Sequence, residues 1–366
     1  MVRISNIQDG LVSLDNCVYI EGDIDKRFII NNGDLLIAMS GATTGKMGVY
    51  QYDCPALLNQ RVGNIKVNTP LLLQKYRDYF MQSQSELILK LSYGGAQPNV
   101  SAKIISDLFI PIPSLNEQKK IVAEIEKWFG FIDEIENGKI KLESHIKKTK
   151  SKILDLAISG KLVPQDPDDE PAIELLKRIN PGLEPCDNSH YENLPQGWTI
   201  VGLHSVAEII TGSTPSKLNA EYYNGDVPFY KPNDLDQGRH VRCASEYLSQ
   251  QGKSISRSIP CNSIAVCCIG SIGKCGFIEK EGVTNQQINT IVPNDAIFPL
   301  YMYYFCNSST FIDELKSLSS AVTISIVNKS KLSTIQIPLP PIAEQKRIIS
   351  VIEKLYSHLD MITAEL

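Results

Sequence analysis

Between positions 116 and 156 the apolar residues fall alternately four and three apart: Ile121, Ile125, Trp128, Ile132, Ile135, Leu142, Ile146, Ile153 and Leu156, with Lys139 and Thr149 as the two polar members of the row. That spacing predicts one long helix whose apolar seam lies along another helix. At 1.5 Å per residue it would extend about 60 Å. The row returns at the end of the chain, where Ile348, Ile352, Leu355, Leu359, Ile362 and Leu366 predict a second helix over 343–366. Gly130 and Gly138 each weaken the first helix by about 1 kcal/mol relative to Ala, so packing has to hold it. Acidic residues (Glu117, Glu124, Glu126, Asp133, Glu134, Glu136) crowd its first half and lysines (Lys139, Lys141, Lys147, Lys148, Lys150, Lys152) its second. This is the order the helix dipole favours. Those lysines read either as a solvated face or as a contact for DNA or an acidic partner.

The rest of the chain carries a shorter period. Apolar runs at 28–30, 35–39 and 63–67, separated by Gly/Asn turns such as Asn31-Asn32-Gly33, predict β-rich structure over 1–113. Gly160 stops the first helix, a Pro/Asp-rich stretch follows at 160–172, and a short helix is predicted over 172–179. A second β-rich region then runs to about Pro340.

The two regions are copies of one another. IPIPSLNEQKKIVAEIEKW at 110–128 returns as IPLPPIAEQKRIISVIEKL at 337–355, about 227 residues later. Upstream, residues 2–7 lie under 230–235 and residues 45–48 under 273–276. So long a period is a duplicated domain, because solenoid units run about 20 to 50 residues. The expected division is a first β-rich domain at 1–113, a long helix at 114–160, a linker with a short helix at 161–193, a second domain at 194–340 and a shorter helix at 341–366. The second copy has about 32 residues (198–229) ahead of the point where the first begins. Its helix is also shorter, about 24 residues against about 41. The chain is therefore expected to be shortened at both ends relative to its own middle.

Composition narrows the chemistry. At 366 residues and 43% hydrophobic content the chain is long enough for two cores. No apolar run approaches the roughly 18 residues that a spanning helix needs, so no membrane association and a cytoplasmic location are expected. The nine cysteines, without a CxxC pair, read as reduced thiols rather than metal ligands. The net charge of −5 is low for a nucleic-acid reader, so any DNA affinity must come from local patches or a partner.

Candidate chemistry is sparse. The loop at 41–46, GATTGK, is one residue short of a phosphate-binding loop, and Met47 stands where the metal-binding Ser or Thr belongs. The second copy fails in the same way, which makes the motif a glycine turn between strands. Lys46 and Lys274 are then turn lysines facing solvent or paired phosphate contacts. Asn59-Gln60-Arg61 matches Asn285-Gln286-Gln287. Such side chains suit readout of adenine and guanine edges, and equally suit the capping of a buried turn. Arg3, Asn6, Lys231 and Asn233, with Asp234, carry the same two readings. The five histidines have no partners between the copies, and no nucleophile elbow or cofactor loop occurs. The chain reads as a binder without cofactor, not an enzyme.

Several of these segments together resemble the specificity subunits of type I restriction-modification systems. LPQGW at 194–198 is similar to the opening of a target recognition domain, and VPFYKPNDL at 227–235 to its first core strand. The entry into the helix at 337–348 and the exit GKLVPQDPDDEPA at 160–172 are similar to the spacer regions. The resemblance implies an α+β fold with two β-rich target recognition domains separated by a long antiparallel two-helix coiled coil. It also implies that each domain reads half of a split double-stranded DNA target, with the helix pair as the ruler between the halves. Two methyltransferase subunits would dock on that framework and a restriction/translocase subunit would join them, with all catalysis left to these partners. A second expectation belongs to another class: a truncated scaffold or decoy that binds methyltransferase and reads at most one half-site.

Overall fold

The computed structural model describes residues 1–366 apart from 9, 23–24, 93–97, 183–184, 187–193 and 320–325. The chain divides into two compact units, Met1–Asn137 and Gly138–Leu366.

In the first unit β1 (Leu35–Ala38) lies between β2 (Met47–Val49) and β3 (Val62–Ile65), antiparallel to both, with Leu36 opposite Gly48 on one side and Asn64 on the other. Gly10–Val12 extends the sheet beyond β2 in parallel, and Ile7–Gln8 pairs with it at the edge. All four β1 residues are fully buried, because successive side chains point to opposite faces and each face has its own core. Leu36 and Ala38 pack with Val2, Ile7, Val12, Ile30 and Tyr50, whereas Leu35 and Ile37 pack with Met47, Met81, Ile88 and Val100. Gly48 has to be glycine, since a Cβ there would meet the Leu11 carbonyl oxygen at 2.4 Å.

The second unit repeats that centre. β4 (Thr199–Gly202) and β5 (Ala207–Thr211) come first, then β6 (Ser263–Cys267), β7 (Cys275–Ile278) and β8 (Ile288–Pro293). The sheet order is β7, β6, β8, β5, all antiparallel, with Val266 opposite Cys275 and Asn289. β4 makes a separate pair with β9 (Gln336–Leu339).

Both long helices form. α1 runs over Leu115–Ile158, 44 residues or about 66 Å, and α2 over Ile342–Ala364. The short helix predicted at 172–179 is present at Ala172–Ile179. Gly130 and Gly138 lie inside α1 without interrupting it. Within the second unit the last half of α1 and α2 are antiparallel neighbours. Tyr356 Oη donates to the Lys150 carbonyl at 3.0 Å, Lys150 pairs with Asp360, and Lys139 reaches the Leu366 carbonyl. Positions rise along one helix as they fall along the other. Ile153, Leu154, Ala157 and Ile158 of α1 share one core with Ile348, Ile349 and Ile352 of α2.

One buried side chain sets the entry to each helix. Gln118 accepts from the Leu73 amide at 2.9 Å and donates to the carbonyls of Leu71 and Pro113. Gln345 accepts from the Phe298 amide at 2.7 Å and donates to the carbonyls of Ala296 and Pro340. Both glutamines are fully buried and both join the segment before the helix to a more distant loop. This explains why the glutamine of the repeated motif is identical in the two copies.

Candidate nucleic-acid interface

The candidate residues group at the C-terminal end of β1 and at the matching end of β6. The Ala38 amide donates to the Lys46 carbonyl and the Met39 amide to the Arg61 carbonyl, both at 2.9 Å. In the second copy Cys267 donates to Lys274 and Cys268 to Gln287, both at 2.8 Å. A third strand contact closes each end: Val100 to Met39 at 2.7 Å, and Val327 to Cys268 at 2.9 Å. Lys46 with Arg61, and Lys274 with Gln287, therefore flank one strand end in each unit, at equivalent places.

Two side-chain turns hold these loops. Asn59 Oδ1 accepts from the Arg61 amide at 3.1 Å, and Asn285 Oδ1 from the Gln287 amide at 3.2 Å. The asparagines of the repeated triplets thus cap turns, while Arg61 is exposed and Gln287 half-buried. Val2 pairs in parallel with Leu58, as Tyr230 does with Thr284. The residues that follow form a matched pair of caps, Arg3 amide to Asn6 Oδ1 at 2.9 Å and Lys231 amide to Asp234 Oδ2 at 2.7 Å. Asn6 is buried and serves that turn, whereas Arg3 and Asn233 are exposed. The glycine turn beside Lys46 and Lys274 is real in both copies, with Gly45 at φ +82° and Gly273 at φ +88°.

Charge distinguishes the copies. Lys274 is held by Asp236 at 2.7 Å, and Lys231 by Glu246. Among the described residues, no ion pair engages Arg3, Lys46 or Arg61. Lys46 opens onto a groove lined by Gly41, Thr44, Ser85 and Pro98.

The seam residues separate into two groups. Ile348 and Ile352 are buried, Leu355 and Leu359 pack on the same core, and Ile362 is 44% exposed. In the first unit Ile121 and Ile125 are half-buried, and Trp128, Ile132 and Ile135 are exposed, Ile135 by 71%. Ile121, Ile125, Trp128, Phe129 and Ile132 form an apolar patch.

Sequence reasoning missed two polar clusters. Glu279 pairs with Arg242 and with His240 at 2.5 Å, and these hydrogen bonds, Arg242 first, hold its carboxyl at about 2. Glu344, buried at the start of α2, accepts from Trp198 Nε1 and Gln165 Nε2, both at 3.0 Å, while burial raises its pKa. The signal for the second was available, since Glu344, Gln165 and Trp198 all lie in motifs singled out above. Their mutual contact joins positions 146 or more apart. His190 lies outside the described residues.

Comparison with known proteins finds a match to the type I restriction modification DNA specificity domain over residues 2–144 and again over 195–366. The chain is 35% identical over 173 residues to the specificity subunit of the type I restriction enzyme HindI from Haemophilus influenzae, covering 45% of this chain and 38% of that one. It is 23% identical to the EcoBI specificity subunit of Escherichia coli, over 99% of this chain and 74% of that one. Among solved structures, the HsdS subunit from Thermoanaerobacter tengcongensis matches with a TM-score of 0.56 at 18% identity, over 100% of this chain and 84% of that one. A chain solved in work on complex assembly in the type I R-M system matches at 0.64, also at 18% identity, over 100% and 85%. These two likenesses establish the α+β fold.

Proposed function

This chain belongs to the type I restriction modification DNA specificity domain family, and on that premise we propose that it is the non-catalytic subunit that selects the DNA sequence for a type I restriction-modification enzyme. Its target is bipartite double-stranded DNA, one part for each unit. The observation that carries this reading is the equivalence of the two strand ends, with Lys46 and Arg61 at one and Lys274 and Gln287 at the other on the same backbone hydrogen bonds. Lysine supplies a phosphate contact, which positions, and Arg or Gln supplies a bidentate base contact, which specifies.

Partners follow from the same membership. Methyltransferase subunits, in two copies, dock on the helical framework, which the exposed stripe around Trp128 and Ile132 supports. A restriction and translocation subunit completes the complex in the cytoplasm. The partners also offset the net charge of −5 by sharing the phosphate contact that dominates affinity. Two weak part-site contacts on one chain act together, because the second becomes intramolecular once the first has formed.

The test is selection from a randomised duplex library by the chain assembled with its methyltransferase partner. A sequence in two separated parts supports the reading. Enrichment of one part only supports the scaffold alternative, which the exposed apolar residues of the first unit favour. No enrichment over bulk DNA overturns both.

A further inference from the structure

The register that sets residues 2–7 under 230–235 and 45–48 under 273–276 also sets Lys46 under Lys274 and Gln8 under Asp236. In the second unit Asp236 lies in the helical turn Asp234–Gln237, just beyond the strand that ends at Tyr230, and its carboxylate meets the Lys274 ammonium at 2.7 Å. Asp234, the other acid of that turn, is buried and serves the backbone, accepting from the Lys231 and Ser245 amides at 2.7 and 2.8 Å. Asp236 has no such structural duty. Among the described residues Lys274 is the one partner of its side chain, which is 72% exposed. A pair this exposed adds little to stability, so the fold does not account for it. Its consequence is electrostatic: the ammonium at this strand end is already neutralised, as is that of Lys231 by Glu246.

The first unit lacks that acid at the same place. Gln8 is exposed and neutral, and its amide donates locally to the Ser5 carbonyl at 3.4 Å. Lys46 is exposed, whereas Lys274 is half-buried. Glu86 borders the Lys46 groove without pairing with the ammonium. Arg61 adds an exposed cation where the second copy has the neutral Gln287. One strand end thus offers free cations, and its equivalent offers cations that each hold a carboxylate.

We propose that Asp236 sets the affinity of the second strand end for DNA by competing with backbone phosphate for Lys274, and that the first strand end, with Gln8 in that position, makes the stronger phosphate contact. The inference rests on the DNA reading of these strand ends given above. A free lysine that meets a phosphate releases a counterion from the DNA, which is the main source of sequence-independent affinity. Lys274 instead exchanges one anion for another, and Asp236 stays beside the phosphate and repels it. The two parts of the target are therefore held unequally. The first unit supplies most of the salt-dependent attraction, and the second, engaged once the first has bound, discriminates through its base contacts with little help from charge.

The probe is a fluorescent duplex pool of random sequence, titrated over a range of salt concentrations with the full-length chain assembled with its methyltransferase partner. Asp236→Asn should steepen the plot of log affinity against log salt by about 0.9, one further phosphate contact, and tighten binding about fivefold at physiological salt. Adding Lys274→Ala should abolish that gain, because the freed ammonium is what makes the contact. Gln8→Asp, the reciprocal change, should make the slope shallower by a similar amount. Positions 8 and 236 are exposed, so neither substitution disturbs a core. Asp168→Asn, the same charge change at an exposed linker position, should leave the slope unchanged. An unaltered slope with either Asp236→Asn or Gln8→Asp, in a protein that binds DNA, overturns this proposal alone. An equal gain from Asp168→Asn, a simple effect of net charge, overturns it as well. So does weaker binding by Asp236→Asn, the result for a carboxylate that accepts from a cytosine amine. Absence of salt-dependent DNA binding in the wild type overturns it together with the function on which it rests.

Discussion

Replacing Gln345 by leucine keeps the volume at the head of α2 nearly constant while removing every hydrogen bond the side chain makes. The Phe298 amide, bonded at 2.7 Å, loses its acceptor, and the carbonyls of Ala296 and Pro340 lose a donor. Gln345 is fully buried, so water cannot replace it without opening the core. An orphaned buried amide costs about 1–3 kcal/mol, and carbonyls with a second lone pair cost less, for a total of roughly 2–4 kcal/mol. Gln118→Leu removes an equivalent set in the first unit, the Leu73 amide and the carbonyls of Leu71 and Pro113. The assay is urea unfolding, with Trp198 fluorescence reporting the second unit and Trp128 the first. With a slope of about 2 kcal/mol per molar urea, each variant should lower the midpoint of its own unit by about 1–2 M. Shifts below about 0.5 kcal/mol in both variants would refute the reasoning, because surface-like behaviour is incompatible with these bonds holding the helix entries.

Other outcomes follow from burial and charge. Ile352→Ala should cost about 2–4 kcal/mol in thermal or urea unfolding, whereas Ile135→Ala, 71% exposed, should change stability by under about 0.5 kcal/mol. Glu279 has a folded pKa of about 2 against an ordinary 4.5, so its contribution to stability is present above 4.5 and is lost as pH falls towards 2. Glu279→Gln should flatten that part of the stability profile, by a small amount because its partners Arg242 and His240 are largely exposed to screening solvent. A thiol reagent should modify the exposed Cys54, Cys243 and Cys261 in the native protein. It should reach Cys268, Cys275 and Cys306 only on unfolding, since burial pushes the first to about 11 and the second to about 12.

The duplication was legible because ten identities within one 19-residue motif have no common cause except copying, and their structural reason is partly Gln118 and Gln345. The helices were legible because heptad spacing reports an apolar face directly; α1 begins at Leu115 and ends at Ile158, close to the expected 116–156. What covers that face is another matter. Periodicity treats Ile135 and Ile352 alike, yet one is exposed and the other buried, since the difference lies in neighbours supplied by remote segments. The turn role of Asn59 and Asn285 stood as one of two readings, and a backbone hydrogen bond two residues away accounts for it. The restraint of Lys274 by Asp236 was not legible, because it depends on a contact that only the folded chain creates.

On the proposed function, the two copies read different parts of one DNA target through equivalent strand ends. The most direct test is to compare the duplex sequences enriched by the methyltransferase-bound chain as wild type, Arg61→Ala and Gln287→Ala. Each substitution should relax specificity in one part of the target and leave the other part intact, with about 1–3 kcal/mol of discrimination lost at the affected base pair. Relaxation of the same part by both substitutions, or an unchanged sequence in each, would contradict it.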